Sequence, residues 1–356
     1  NAALLLSGIF TIKMLAYVIV SPIAGAIINK FNRRIYLIIL DMIRASAALS
    51  LVFVREIWQI YLVILLLQVA SAAFTPIYQA TIPEILPDEH EYTQALSLSR
   101  IAYDLENIIS AGVAGLILMV YSYNILFLGT MFGFLGSAVL VISIILPKFI
   151  PTKDQNVLQN ITYGIQKFWI YSRLKGLLFL NIAIASGGSM IIVNTIIFVR
   201  SDLSLDEIAF AITMFAFGLG SMLAALYLPR LLESFTDKKL MISGCVIMLL
   251  SFYILAIWIK LFGISWSALI IIWITTGIGY SSALTPIGRI IRKSSDGSDF
   301  TQLYAAQFSL SHACWLVMYP FSGWVMTIYG SIFSLIAVAS IILISTVIAF
   351  YSWTSE

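Results

Sequence analysis

The sequence predicts an all-α polytopic membrane protein built from two related halves, and three observations predict it. Of 356 residues, 61% are hydrophobic and only 10% are charged, with a mean hydropathy of +1.00, more apolar surface than a soluble fold can hide. Apolar runs of about 20 residues, long enough to cross a hydrocarbon layer of roughly 30 Å as a helix, recur along the whole chain. Short words also repeat in order. Thr75-Pro76-Ile77, Glu91-Tyr92-Thr93-Gln94 and Ser97-Leu98-Ser99 return as Thr285-Pro286-Ile287, Asp299-Phe300-Thr301-Gln302 and Ser309-Leu310-Ser311. Duplicated halves in an apolar chain suggest a transporter assembled from repeats.

About eleven spans follow from the runs. The first, near residues 5–28, is too long for a cleaved signal peptide and lacks its basic leading region. The second, 35–54, follows Arg33 and Arg34 and contains Asp41 and Arg44; the third, 58–81, contains the first Thr-Pro-Ile word. An acidic loop (Glu84, Asp88, Glu89, Glu91) leads to the fourth, 94–120, and the fifth covers 124–147. The longest break in hydrophobicity, from Pro147 to Lys175, is the natural linker. Within it Val157, Leu158, Ile161, Ile165, Phe168 and Trp169 recur at helical spacing beside Lys167, which suggests a short helix lying on the membrane surface. Six more runs follow, at 174–199, 207–229, 239–259, 264–288, 301–327 and 330–352. The expected organisation is an N-terminal bundle 1–147, a linker 148–173 and a C-terminal bundle 174–356. Pairing six spans after the linker with five before it leads to the expectation that the first helix of the first half is missing.

Cations orient the chain. Lys30, Arg33 and Arg34, then Lys148, Lys153, Lys167, Arg173 and Lys175, then Arg230, Lys238 and Lys239, then Arg289, Arg292 and Lys293 all fall on one side, whereas the opposite loops hold only Arg55, Arg200 and Lys260. The rich side is expected to be cytoplasmic, which puts Glu356 on the cytoplasmic side of a cell (cytoplasmic) membrane. Acidic residues weigh little in this rule, so the loop at Glu84–Glu91 does not disturb it. Cys245 and Cys314 both fall in spans and give neither a disulfide framework nor metal-ligand spacing. A Gly-rich loop ending in Lys-Ser or Lys-Thr is absent, so ATP bound by this chain is not the expected energy source; no cofactor, metal or nucleic acid is expected.

At the end of the first run the chain reads Gly25-Ala26-Ile27-Ile28-Asn29-Lys30-Phe31-Asn32-Arg33-Arg34. This resembles the signature loop of the major facilitator superfamily (MFS), Gly-x-x-x-Asp-Arg-x-x-Arg-Arg, with Gly25, Arg33 and Arg34 matched, Lys30 in place of Arg and Asn29 in place of Asp. The resemblance implies the MFS fold, two pseudo-symmetric six-helix bundles, and a conformational latch at Gly25, Asn29, Lys30, Arg33 and Arg34. Because Asn29 carries no charge, the latch here would rest on hydrogen bonding. Gln68 stands where many proton-coupled exporters of the family carry an Arg. Ser110-Ala111 and Ala114-Gly115 match the family's Gly-Pro-rich antiporter motif loosely. The run Ala95-Leu96-Ser97-Leu98-Ser99-Arg100 is similar to the branch holding macrolide and siderophore exporters. The family's central cavity, carried onto the third, sixth and ninth runs, implies Gln68, Gln79, Asn181, Asn194, Trp273 and Tyr280 as cavity candidates.

Ionisable groups at membrane depth cost about 2.5 to 3.5 kcal/mol on insertion scales, so they face a cavity or a partner. Here they are Lys13, Asp41, Arg44, Arg100, Asp104, Glu106 and His312. Arg100 and Asp104 are spaced to pair on one helix, as are Asp41 and Arg44. Glu106 and Lys13 have no obvious local partner and are candidates for coupling transport to protons; His312 ordinarily titrates near neutrality. The expected function is secondary active export of a small amphipathic organic molecule, such as a drug or siderophore, by a monomer in the bilayer using protons as coupling ion. Alternatives are an importer or lysolipid flippase of the same fold, a non-transporting scaffold, and an intramembrane enzyme. Against the last, the chain has no His-Glu-x-x-His helix or Gly-x-Ser-x-Gly turn.

Overall fold

A computed structural model describes residues 2–144, 146, 157–297 and 299–354; the side chains at 2–10, 29, 108, 111, 112, 115, 157 and 158 lie outside the described set. Helices make up the architecture, with no strand among the described residues: α1 (Ala2–Ile27), α2 (Arg33–Ser50), α3 (Ile57–Ile85), α4 (Glu89–Val120), α5 (Asn124–Ser143), α6 (Val157–Ile170), α7 (Ser172–Ile196), α8 (Glu207–Ser234), α9 (Asp237–Phe262), α10 (Trp266–Leu284), α11 (Ile287–Lys293) and α12 (Phe300–Ser352). Over the described residues the apolar runs read from the sequence fall on these helices, with the run at 264–288 divided between α10 and α11 and the run at 174–199 continuing past α7. Among the described residues, seven helices are long and apolar enough to cross a bilayer. α2 and α4 contain the buried charges Asp41, Arg44, Arg100 and Asp104, which lower their hydropathy. α12 accommodates the last two runs because Gly330, at φ 78, breaks the helix between them.

Helix starts follow from local chemistry. The Asn32 side chain accepts hydrogen bonds from the Arg34 and Ile35 amides at the start of α2, Asp206 accepts from Ala209 at α8, and Thr236 from Lys239 at α9. Glu56 and Gln59 close a reciprocal capping box on α3. Without water to satisfy the backbone, helices are the only open solution at membrane depth, and neighbours tolerate the prolines inside α1, α3, α8 and α12. Apolar side chains gain little from leaving lipid for protein, so close packing needs small residues. α8 and α10 meet at Gly220 and Gly277, where an added Cβ would strike the backbone carbonyls of Ile274 and Phe217.

The chain forms two compact units, and they interleave its sequence. The first contains Asn1–Pro87, Ser110–Lys167 and Ser295–Ala313; here α1 packs on α3, and α2 lies against α3 and α5. The second contains Asp88–Ile109, Phe168–Ser294 and Cys314–Glu356, with α10 packed on α8 and α9. Each unit therefore contains a segment from the other half of the sequence. The exchanged segments carry two of the three duplicated words, Glu91 to Ser99 in the second unit and Asp299 to Ser311 in the first, whereas Thr75-Pro76-Ile77 and Thr285-Pro286-Ile287 each stay with their own half.

The linker before Val157 lies outside the described residues. On its helix, α6, Phe168 of the apolar stripe is buried, Ile161 and Ile165 are half-buried and Trp169 is exposed, while Lys167 beside them is buried in an ion pair. Lys167 meets Asp299, itself buried, and Tyr163 donates to the same carboxylate at 3.4 Å.

Candidate functional site

Arg100 sits one residue beyond the first Ser-Leu-Ser word, on α4. Its guanidinium pairs with Asp104 one turn on, the Nε donating to Oδ2 at 3.0 Å, and the Ser221 hydroxyl from α8 donates to the same carboxylate. The Arg100 guanidinium lies over two rings, 5.1 Å from the centroid of Tyr103 and 5.2 Å from that of Tyr280 on α10. Both charged residues are buried. Spacing alone permits the pair; the fold adds a hydroxyl and a phenol from the second half of the sequence.

At the start of α4 the first copy of the words makes a second connection. Arg289 on α11 donates from Nε to Asp237 Oδ1 at 2.7 Å, pairs with Glu89, and reaches the hydroxyl of Thr93. Lys293 completes the cluster, 2.7 Å from Asp237 and 3.2 Å from Glu89. Beside it Gly288 leaves room for Tyr92 and Leu96, which an added Cβ would strike. In sequence these cations read only as orienting charges. Their partners lie more than fifty residues away, and nothing in local spacing announces them.

The second copy is held differently, in the first unit. Ser309 donates to the Val18 carbonyl at 2.7 Å, Ser21 donates to the Ala305 carbonyl at 3.0 Å, and Gly25 lets α1 close on Ala305. His312, one residue beyond the second Ser-Leu-Ser, is half-buried between the rings of Phe308 and Tyr17, at centroid distances of 4.2 and 4.8 Å. Its Nδ1 lies 2.7 Å from the Phe308 carbonyl, so Nδ1 is the donor. The Lys13 ammonium lies 5.7 Å from the Tyr17 ring centroid, close enough to feel its face.

A third charged group stays within one half. Asp41 pairs with Arg44 on α2 and accepts from the Ser137 hydroxyl of α5 at 2.9 Å, while the Arg44 guanidinium covers Phe74 at 3.8 Å and Phe134 at 4.7 Å. Ser137 and Ser221 were not legible as partners, since a lone Ser in a small-residue run has no spacing signal.

The remaining predicted positions scatter. In the loop motif, Arg33 pairs with Glu84 at the end of α3, Lys30 is exposed, Arg34 is half-buried, and the Asn29 side chain lies outside the described residues. Glu106 and Gln79 are exposed and Gln68 is half-buried. Asn181, Asn194 and Trp273 are buried in helix packing of the second unit. There Asn194 donates to Ser322 Oγ at 2.8 Å, and the Trp273 indole donates to Thr195 at 2.8 Å. Of the six cavity candidates, only Tyr280 lies at the Arg100 cluster. Among the described residues no group of three or more His, Cys, Asp or Glu has the arrangement to hold a metal ion.

The model for the family described as Major Facilitator Superfamily matches residues 2–172 and 177–356. The chain belongs to the Major Facilitator Superfamily. This is a family of membrane transporters rather than enzymes, so the intramembrane-enzyme alternative is set aside. An uncharacterized MFS-type transporter of Bacillus subtilis strain 168, YfiS, is 25% identical over 43% of this chain and 37% of its own length. Macrolide efflux protein A of Streptococcus pyogenes is 23% identical over 46% of this chain and 42% of its own. The chain thus matches less than half the length of these curated relatives. In fold it is similar to the Escherichia coli fucose:proton symporter FucP, with a TM-score of 0.78 and 12% identity over 99% of this chain and 92% of that one. The MFS fold and a multi-pass membrane protein follow from the match and from the apolar helices.

Proposed function

We propose that this MFS protein is a secondary active carrier that exports a small amphipathic organic molecule by alternating access, with protons as the coupling ion, as a monomer. Its basic loops and C-terminus face the cytoplasm, and its bundles are 1–147 and 174–356, joined by the linker 148–173. The observation that carries the reading is the exchange of the duplicated segments. The second and third repeated words lie on segments where one half of the sequence touches the other, through Thr93, Leu96 and Arg100 in one copy and Ala305 and Ser309 in the other. A carrier that rocks its halves about a midplane site has to open such contacts in turn. The loop motif at Gly25, Asn29, Lys30, Arg33 and Arg34 latches one of those states.

Asp104, buried among Arg100, Ser221 and Tyr280, is the carboxylate placed to couple a proton to that opening, with Lys13, Glu106 and His312 as further candidates. Export is supported by the macrolide efflux protein among the relatives. The fucose:proton symporter among the fold neighbours favours uptake as the second reading. Vesicles containing the protein, an imposed pH gradient and a panel of macrolides, siderophores, lysolipids and sugars separate the two by the direction of accumulation. No gradient-driven flux of any of them would contradict both.

A further inference from the structure

We propose that a groove at the basic end of the second unit holds the headgroup of an anionic phospholipid from the surrounding bilayer. The groove, of about 980 Å³, is formed by the end of α8, the start of α9, the end of α12, Arg173 of α7 and Arg289, Ile290 and Lys293 of α11. Its lining carries the cations Arg173, Lys238, Lys239, Arg289 and Lys293 against the carboxylates Glu233 and Asp237. Asp237 is already used, since Arg289 and Lys293 take its two oxygens.

Arg173 donates to the Lys293 carbonyl at 2.9 Å, and Lys238 donates to the carbonyls of Phe350 and Trp353, where it caps the negative end of α12. Lys239 is exposed. With five cations against two carboxylates in its lining, the mouth is positive on balance. From it Ile242, Val246 and Ile247 continue along α9 as an apolar wall. Phe235, Phe350 and Tyr351 are exposed around the same helix ends, the aromatic belt expected at a headgroup level. A soluble anion uses only the mouth; a phospholipid places its phosphate there and an acyl chain on the wall, which fits the charged-to-apolar gradient. The proposal depends on membrane embedding and not on what the protein transports.

The test is lipid retention by the purified protein, read by native mass spectrometry after exchange from phosphatidylcholine mixed with phosphatidylglycerol. Phosphatidylglycerol should be kept in preference. Arg173→Gln with Lys239→Gln should weaken that preference about tenfold or more, at roughly one headgroup interaction per cation. Lys239→Glu, a change at an exposed site, should weaken it without lowering the melting temperature. Val246→Asp should weaken it through the apolar wall. Glycerol 3-phosphate should not displace the lipid. Equal retention of the two lipids, or retention unchanged in all the variants, would overturn the proposal; displacement by glycerol 3-phosphate would overturn it in favour of a soluble-anion site.

Discussion

Arg100 and His312 occupy the same place in two copies of one pattern, and the fold treats them differently. Arg100 is a permanent charge, matched by Asp104 and tied by Ser221 and Tyr280 to the other half of the sequence. His312 is a hydrogen-bond donor wedged between Phe308 and Tyr17, and its segment is held instead by Ser309, Ser21 and the small residues Gly25 and Ala305. One copy attaches by electrostatics and the other by close packing. Buried ion pairs are unforgiving, since removing one partner strands the other, whereas small-residue contacts separate and re-form with little desolvation. The proposed carrier would use the charged corner as a specific contact and the packed corner as a surface that parts and closes with little desolvation.

The largest way to break this comparison is Arg100→Leu. It strands a buried Asp104 and should cost about 3 to 5 kcal/mol, seen as a large drop in melting temperature in detergent. Lys167→Met should follow at about 3 kcal/mol, because it leaves Asp299 buried without its cation. Burial works against the Lys167 ammonium, but its hydrogen bonds to Asp299 and Tyr163 outweigh that and hold its pKa above the usual lysine value. With the folded value raised, this contribution is complete below the unfolded lysine pKa and is lost only as pH rises beyond it. Melting temperature should therefore keep the full wild-type advantage over Lys167→Met throughout the neutral range and lose it only in strong alkali.

Ser221→Ala and Ser137→Ala sharpen the contrast at lower energy. Each removes one hydroxyl from a buried Asp–Arg pair, worth about 1 kcal/mol, but only Ser221 links the two halves of the sequence. Flux per folded molecule should change for Ser221→Ala and stay at the wild-type level for Ser137→Ala. His312→Phe should be mildest, under about 1 kcal/mol, because it keeps the ring contacts and loses one hydrogen bond to a carbonyl. A melting loss as large as that of Arg100→Leu would refute the difference between the copies.

The helices were legible because each run is apolar over a bilayer's length, and Asp41–Arg44 and Arg100–Asp104 because helical spacing sets such pairs. What lay beyond reach came from distant chain. Arg289 looks like an orienting loop charge until Asp237, Glu89 and Thr93 are placed round it. Lys167 read as a surface cation beside an apolar stripe, and its buried partner Asp299 lies more than a hundred residues on. Two of the three duplicated words fall on the segments that cross between the halves, though they do not say which partners those segments find.

The most direct test of the central claim, that these crossing contacts open during transport, is a reversible bridge across one of them. Ser21→Cys and Ala305→Cys, introduced with Cys245→Ala and Cys314→Ala, place two thiols where the Ser21 hydroxyl now meets the Ala305 carbonyl. Bridged with a short thiol-specific linker in vesicles, the protein should stop gradient-driven flux and regain it on reduction, with each single-cysteine control unaffected. Full flux through a population shown to be bridged would contradict the account.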